Sequence, residues 1–356
     1  MSGRETGILE SHEVAIVGAG PVGLELAAVL CRAGVDYVQF EAQQIGHTLT
    51  RWPPHTHFFS SPERIALAGV PIPTLDQTKL TGEEYLAYLR SVVMQFGLKV
   101  NTYEPVTRIE RRSEGFLLHT RRRTGERSYS CRRVVLATGG MAGPRRLGIP
   151  GEELPHVSHY VADPHRYFLN RVLIVGGRNS ALEAALRLFR AGAKVTISYR
   201  RPDFDAEVPK QFLLKEVQMW IREGRICFLP STAPVEITPQ GVILAPTREG
   251  QPVEGQRIRF DADFVLLCTG FVADMSLFKD LGVELRGESE VPQFCAETME
   301  TNVPGVYVLG TAAAGTQERY SSFIETSHVE VERIVRALTG GKQALSGQRL
   351  AASENA

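Results

Sequence analysis

Short runs of almost unbroken apolar residues recur along this chain. Several end at glycine, and some of these are followed by a segment of helical period. Residues 14–17 form the first such run. Gly18, Gly20 and Gly23 follow as G-x-G-x-x-G, a helical stretch covers 22–32, and Gly34 stands where it should end. A second strand-like run at 35–40 leads into Glu41. The same order returns later: a run at 171–175, then Gly176-Gly177-Arg178-Asn179-Ser180-Ala181, a helix to about Arg190, Gly192, and a strand at 195–199. Three further runs end in tight turns, at 134–139, 264–270 and 306–310, and a helical stretch covers 323–338. Apolar runs this short, alternating with helices, predict parallel strands buried on both faces. The expected class is α/β, with two Rossmann-type, three-layer ββα nucleotide-binding domains.

Each part of the first repeat has a task. Gly18 permits the turn, Gly20 lets the backbone approach a pyrophosphate, and Gly23 lets the helix pack on the strand. Pro21 and Val22 open a helix whose N-terminus faces the phosphates with its partial positive charge. Glu41, with Ala42 beside it, comes 18 residues after Gly23, near the place of an acid that holds ribose hydroxyls. In the second repeat Ala181 replaces the last glycine, an accepted variant, and Arg178 replaces the middle one. A side chain at 178 hinders close backbone approach, while its guanidinium can meet a phosphate directly. The second strand ends in Arg200-Arg201 rather than an acid. Arginines favour a 2′-phosphate, so NADPH is expected over NADH. The turns Ala137-Thr138-Gly139 and Thr269-Gly270 follow strands and are expected beside the two cofactors.

At 356 residues the chain has room for two domains. Its 40 basic and 40 acidic side chains cancel, which argues against a nucleic-acid partner. No apolar run reaches the ~20 residues of a membrane span. The polar residues 1–12 read as a tail without a signal-peptide core, so a cytoplasmic protein without a membrane partner is expected. The basic run Arg121, Arg122, Arg123 reads as a solvated hairpin turn before Gly125. The five cysteines, Cys31, Cys131, Cys227, Cys268 and Cys295, form no C-x-x-C pair. That excludes a zinc ribbon or dithiol motif; no metal is expected, and four of the five read as buried, inert thiols.

Taken together, these motifs resemble those of the flavoproteins with two dinucleotide-binding domains, of which thioredoxin reductase is the small member. The resemblance runs from about Val14 to Thr339. It implies FAD in the first domain and an NADPH domain inserted into it. The boundaries are then 12–155 and 280–345 for FAD and 156–279 for NADPH, with tails at 1–11 and 346–356. Four local stretches are similar to those of the YpdA-type bacillithiol-disulfide reductases: residues 55–61 (HTHFFSS), residues 176–181 (GGRNSA), Phe323-Ile324-Glu325, and His159-Tyr160. This similarity implies a homodimer that reduces a small-thiol disulfide.

The resemblance also implies roles for particular residues. Gly310, Thr311, Ser321, Ser322 and Phe323 become flavin contacts at the start of the last helix. The segment 47–61 is read from its own residues: it follows the Glu41 strand and holds three histidines, Trp52, Phe58 and Phe59, so it is expected to wrap the flavin and line the acceptor side, with Phe59 and Ser60 packing the flavin and His55 and His57 as candidate proton donors. Three departures stand out. Thioredoxin reductases carry a redox C-x-x-C where this chain has His156-Val157-Ser158-His159; YpdA-type proteins carry a cysteine at the position of Val22; and Thr311 replaces an aspartate. They keep two other classes open: a flavoenzyme with a different acceptor (ferredoxin or quinone reductase, or small monooxygenase), and a non-catalytic nucleotide-binding regulator.

Overall fold

The structure, a computed structural model, describes residues 10–76, 78–317 and 321–340. The chain divides into two compact units, the second inserted into the first. The first takes in the chain to Thr50, His55–Gly143 and the chain from Val272; the second is Arg51–Pro54 with Pro144–Phe271.

The first unit is built on a seven-stranded sheet. Its central strand, Glu10–Val17, lies parallel to Tyr37–Phe40 on one side and to Gly125–Leu136 on the other. Val14, Ala15 and Ile16 are fully buried, as the apolar run predicts. The strand starts earlier than the expected tail allows. Glu10, Ser11 and His12 pair with Tyr129, Ser130 and Cys131, because the long partner strand offers backbone groups there. Gly125–Leu136 uses its other edge twice. Its first half pairs antiparallel with Gly115–Arg122, and Val134–Leu136 pairs parallel with Val306–Val308.

The helix Pro21–Arg32 starts at a proline, which suits the first helical position because its missing N–H has no partner to lose there. The helix Gly82–Phe96, which the apolar runs did not reveal, carries a capping box between Thr81 and Glu84 and ends at left-handed Gly97. The last helix is Ile324–Thr339. Arg121–Arg123 does sit at a hairpin, but Arg122 is more than a solvated charge. It pairs with the buried Glu104 and donates to Asn101 Oδ1 at 2.7 Å. The expected tail 346–356 lies outside the described residues.

The second unit has a five-stranded parallel sheet in the order Cys227–Pro230, Lys194–Tyr199, Arg171–Val175, Phe264–Leu267, Val157–Ser158. Side chains alternate across it, which makes three layers from one apolar run. Val172 and Ile174 face the helices Asn179–Arg190 and Gln211–Arg222 with Leu182, Leu186 and Val217. Leu173 and Val175 face the antiparallel strands Thr232–Thr238 and Gly241–Arg248 with Ile237, Val242 and Leu244. Each such fully buried aliphatic contributes about 1.5–3 kcal/mol.

Candidate functional site

In the first unit the site is a turn wedged between three strands. Gly18 has φ 112°, and a Cβ there would lie 2.3 Å from the Ala137 carbonyl oxygen. Its N–H donates to Phe40 O at 2.8 Å, and its own carbonyl accepts from Gln39 Nε2 at 2.9 Å. A Cβ on Gly23 would meet Gly18 O at 2.5 Å, so the helix closes tightly on the turn. Gly20 differs from both. It is the helix N-cap without a side-chain cap, and a Cβ there meets nothing within 4 Å. The helix N-terminus therefore has no side-chain cap and has room beside Gly20, as an anion site requires.

Around this turn the predicted residues are distributed as follows. Glu41 accepts from the Ala19 N–H at 2.8 Å and from the Gln43 N–H at 3.0 Å, so its carboxylate already lies at the glycine turn, and Ala42 follows it. Val22 is buried, with its methyls against Gly310. The Thr311 hydroxyl accepts from the Gly140 N–H at 2.9 Å, next to Gly139. The Ser321 and Ser322 N–H groups donate to the buried Gln317 at 2.8 and 3.0 Å. Among the described residues, the buried hydroxyls Thr138 Oγ1 and Ser322 Oγ have no hydrogen-bond partner. Such groups cost free energy when left unmade, so they fit a polar ligand. Phe323 is exposed at the N-cap of the last helix. An open N-terminus, an acid on the turn and orphaned hydroxyls suit the pyrophosphate, ribose and polar edge of FAD.

His55 and His57 come together with Phe59 through strand geometry. Thr56–Phe58 runs antiparallel to Leu80–Gly82: Phe58 N–H donates to Leu80 O at 2.8 Å and Gly82 N–H to Thr56 O at 2.9 Å. Thr56 and Phe58 turn inward, Phe58 onto Tyr85 with centroids 4.7 Å apart. His55, His57 and Phe59 alternate outward and are exposed, and Ser60 is half-buried. His55 holds a left-handed φ of 59°, and its N–H donates to Glu83 Oε1 at 2.9 Å, which holds that carboxyl below its ordinary range.

In the second unit Gly176, φ 141°, would bring a Cβ within 2.5 Å of the Cys268 carbonyl oxygen. Gly177 lies under the Tyr199 ring, 2.6 Å from the position of its missing Cβ. That glycine therefore accommodates an aromatic ring, a reason the sequence pattern did not supply. Arg178 is the exposed N-cap of the helix Asn179–Arg190, Asn179 Oδ1 accepts from the Lys210 N–H at 2.8 Å, and Ser180 is exposed while Ala181 is buried. Arg200 lies over Gly250, and Arg201 stands 3.7 Å from Asp205; both are exposed. Thr269 donates to Arg145 O at 2.6 Å, and the Gly270 carbonyl accepts from the Arg145 N–H at 2.9 Å. His159 is nearly buried 3.2 Å from Glu152; burial pushes it below the ordinary histidine range, partly opposed by that carboxylate.

The cysteines differ from expectation. Only Cys131 is buried and Cys268 partly so, and burial pushes both thiols up to about 12. Cys31, Cys227 and Cys295 are exposed, at a helix end, at the start of an edge strand and in a turn. None is paired. Among the described residues there is no group of three or more His, Cys, Asp or Glu that could hold a metal ion, and no helix long and apolar enough to cross a membrane.

Sequence reasoning missed two titratable groups on helices of the first unit, one half-buried and one buried. Glu330, on the last helix, accepts from the Gly310 N–H at 2.7 Å, and burial raises its pKa to about 7. Glu25 sits buried in the helix Pro21–Arg32, 2.7 Å from His328. For Glu25, a charge inside an otherwise apolar helix was the available signal; the helix of Glu330 carries several charges and offered none.

Comparison with known proteins fits this geometry. The family model described as pyridine nucleotide-disulphide oxidoreductase matches residues 15–310. The chain is 34% identical over 301 residues to bacilliredoxin reductase Bdr of Bacillus subtilis, covering 84% of this chain and 89% of that protein. It is 29% identical to a ferredoxin–NADP reductase of Ignicoccus hospitalis, with coverage of 84% and 89%. The solved structure of bacillithiol disulfide reductase Bdr (YpdA) from Bacillus cereus superposes with a TM-score of 0.87 at 31% identity, over 93% of this chain and 99% of that one.

Proposed function

The chain belongs to the pyridine nucleotide-disulphide oxidoreductase family, and from that premise we propose that it reduces the disulfide of a low-molecular-weight thiol of the bacillithiol kind. It is an NADPH- and FAD-dependent reductase; the acceptor is what the proposal adds. The balance is one NADPH, one proton and one disulfide giving NADP⁺ and two thiols. When bound, FAD supplies the chemistry that takes hydride from NADPH and hands an electron pair to the acceptor.

The chain's own residues bind, orient and donate protons. Gly18, Gly20 and Gly23, with the N–H groups behind Pro21 and Val22, would hold the FAD pyrophosphate, and Glu41 beside Ala42 would take the ribose hydroxyls. Ala137, Thr138 and Gly139 with Gly310, Thr311, Ser322 and Phe323 would hold its ribityl chain and flavin, and Phe59 and Ser60 would pack against the flavin. Gly176, Gly177, Asn179, Ser180 and Ala181 form the NADPH turn, lined by Thr269 and Gly270. Arg178 meets the pyrophosphate, and Arg200 and Arg201 take the 2′-phosphate. His55 or His57 protonates the departing thiolate.

The observation that supports a small acceptor is the outward face of residues 55–59, where two histidines and a phenylalanine alternate on one exposed side. With Val22 inside the first glycine motif and no C-x-x-C anywhere, the disulfide would be reduced without a C-x-x-C dithiol. The same Val22 favours a second reading, transfer to ferredoxin or a quinone, in keeping with the ferredoxin–NADP reductase relative. By its resemblance the protein acts as a cytoplasmic homodimer. The test is anaerobic reoxidation of the photoreduced enzyme by a panel of disulfides, quinones and ferredoxin. Bacillithiol disulfide should clear the reduced flavin in seconds. If it leaves the flavin reduced for minutes while another acceptor clears it, the disulfide reading is wrong.

A further inference from the structure

Beyond His55–Ser61 the chain makes one helical turn, Pro62–Ile65, and then an irregular stretch to Val70, and three longer helices hold the segment by side chains. Tyr85 donates to Ile65 O at 2.7 Å; Tyr88 accepts from the Leu67 N–H at 2.7 Å and donates to Val70 O at 2.8 Å. Arg32 donates to Ala68 O at 2.7 Å, and Glu25 accepts from the Ala68 N–H at 3.1 Å. Ala68 has φ 51°, a left-handed conformation that a residue with a Cβ adopts only under constraint. The constraint is visible: both of its backbone polar groups are taken by side chains of the first helix.

The last helix completes the arrangement. His328 Nε2 stands 2.9 Å from Arg64 O and Nδ1 stands 2.7 Å from Glu25. A carbonyl oxygen can only accept, so Nε2 carries a hydrogen. The short contact on the other side then needs a proton between imidazole and carboxylate. Without it, a carboxylate and a nitrogen lone pair would face each other where Glu25 is buried.

We propose that the Glu25–His328 pair is a proton-dependent positioning device. The proton it holds fastens residues 64–69 and thereby sets the position of His55–Ser61, which ties the acceptor half-reaction to pH. This rests on the reading of 55–61 as the acceptor side.

The surroundings favour His328 as the group that titrates. The hydrogen bond to Glu25, more than the opposing burial, holds it above the ordinary histidine range. Arg64 stands 3.3 Å from Glu325, whose carboxylate adds to the raising of His328, and Arg32 is always charged. Burial pushes up the Tyr85 and Tyr88 hydroxyls, which stay neutral. Glu330, two residues along the same helix, bonds Gly310 instead. With the folded value raised, the fastening is present below the ordinary histidine value and is lost as pH rises through the folded one.

Hydrogen exchange on the FAD-loaded enzyme tests this without any acceptor. After correction for intrinsic rates, protection of the Leu67 and Ala68 amides should fall at least about ten-fold between about pH 6 and pH 9, while residues 14–17 stay unchanged. Glu25→Gln keeps an acceptor for Ala68 but cannot be charged, so it should flatten that dependence; His328→Gln, whose amide still reaches Arg64 O, should do the same. In the wild type, reoxidation by the best acceptor should lose rate over the same interval while flavin reduction by NADPH does not. Equal protection at both pH values, or a dependence that survives in both variants, would overturn the device whatever the acceptor proves to be. A flat reoxidation profile over a pH-dependent clamp would overturn its coupling to the reaction.

Discussion

Gly20→Ala separates the fold from the cofactor site. In the unliganded chain a Cβ at this position meets nothing within 4 Å, and the backbone, φ −70° and ψ 178°, is one alanine adopts freely. Two small effects oppose each other. Alanine is a poorer N-cap than glycine by about 0.5–1 kcal/mol. It also restricts the unfolded chain, which stabilises by about 0.4–1 kcal/mol. Apoprotein stability should therefore change by less than about 0.5 kcal/mol, within ~2 °C of melting temperature for a chain this long. Gly18→Ala should behave oppositely: its methyl collides with Ala137 O at 2.3 Å and its φ of 112° is forbidden to alanine, so a loss of several kcal/mol is expected. If the open space above Gly20 receives the FAD pyrophosphate, the added methyl costs about 1–3 kcal/mol of binding, a ~5- to 150-fold rise in Kd. The assay is FAD titration of apoprotein by flavin fluorescence, with thermal unfolding of each apoprotein alongside. Gly20→Ala that binds FAD like wild type, or whose apoprotein melts as early as Gly18→Ala, would refute the assignment.

Three other outcomes follow from the same geometry. Arg200→Ala with Arg201→Ala should reduce the preference for NADPH over NADH by at least ~10-fold, since each charge-assisted contact is worth ~1.5–3 kcal/mol; an unchanged ratio in stopped-flow flavin reduction would remove these arginines from the site. Replacing all five cysteines by serine or alanine should leave flavin reduction by NADPH intact, and a single cysteine variant with normal FAD content but no reduction would expose a missed thiol. Glu330, raised from 4.5 to about 7, contributes stability below pH 4.5 that is lost as pH rises to about 7. Glu330→Gln should remove that part of the decline, read as denaturation midpoints between about pH 4.5 and 8, and an unaltered slope would contradict the burial assigned to it.

Both glycine turns were legible because they rest on local pattern. The run at 171–175 became Arg171–Val175 without change, and the helix read from 22 began one residue earlier because Pro21 suits its first position. The helix Gly82–Phe96 was also written in the sequence, by Thr81, Glu84 and Gly97, but by caps rather than by an apolar run. What local pattern cannot carry is pairing over distance. Glu25 and His328 are 303 residues apart, and Arg122 meets Glu104 across a hairpin, so neither partner announces the other. The cysteines failed for a related reason: an apolar neighbour says that a strand or helix is near, not which of its faces the thiol takes.

The divided edge of Gly125–Leu136 has a consequence for how the protein is made. Residues 125–131 find their partner strand within one hairpin, but Val134–Leu136 must wait for Val306–Val308. On the ribosome the whole insertion is synthesised in that interval, so the first unit emerges early and is finished late. Until then its sheet presents an apolar strand end with unpaired N–H and C=O groups, a template for pairing between nascent chains. The five-stranded sheet of the inserted unit needs no such delay, because all of its strands lie within Val157–Leu267. Synthesis order and pairing order are therefore inverted: the sheet begun second can close first, and chains released before Val306 lack the strand that completes the first unit's sheet.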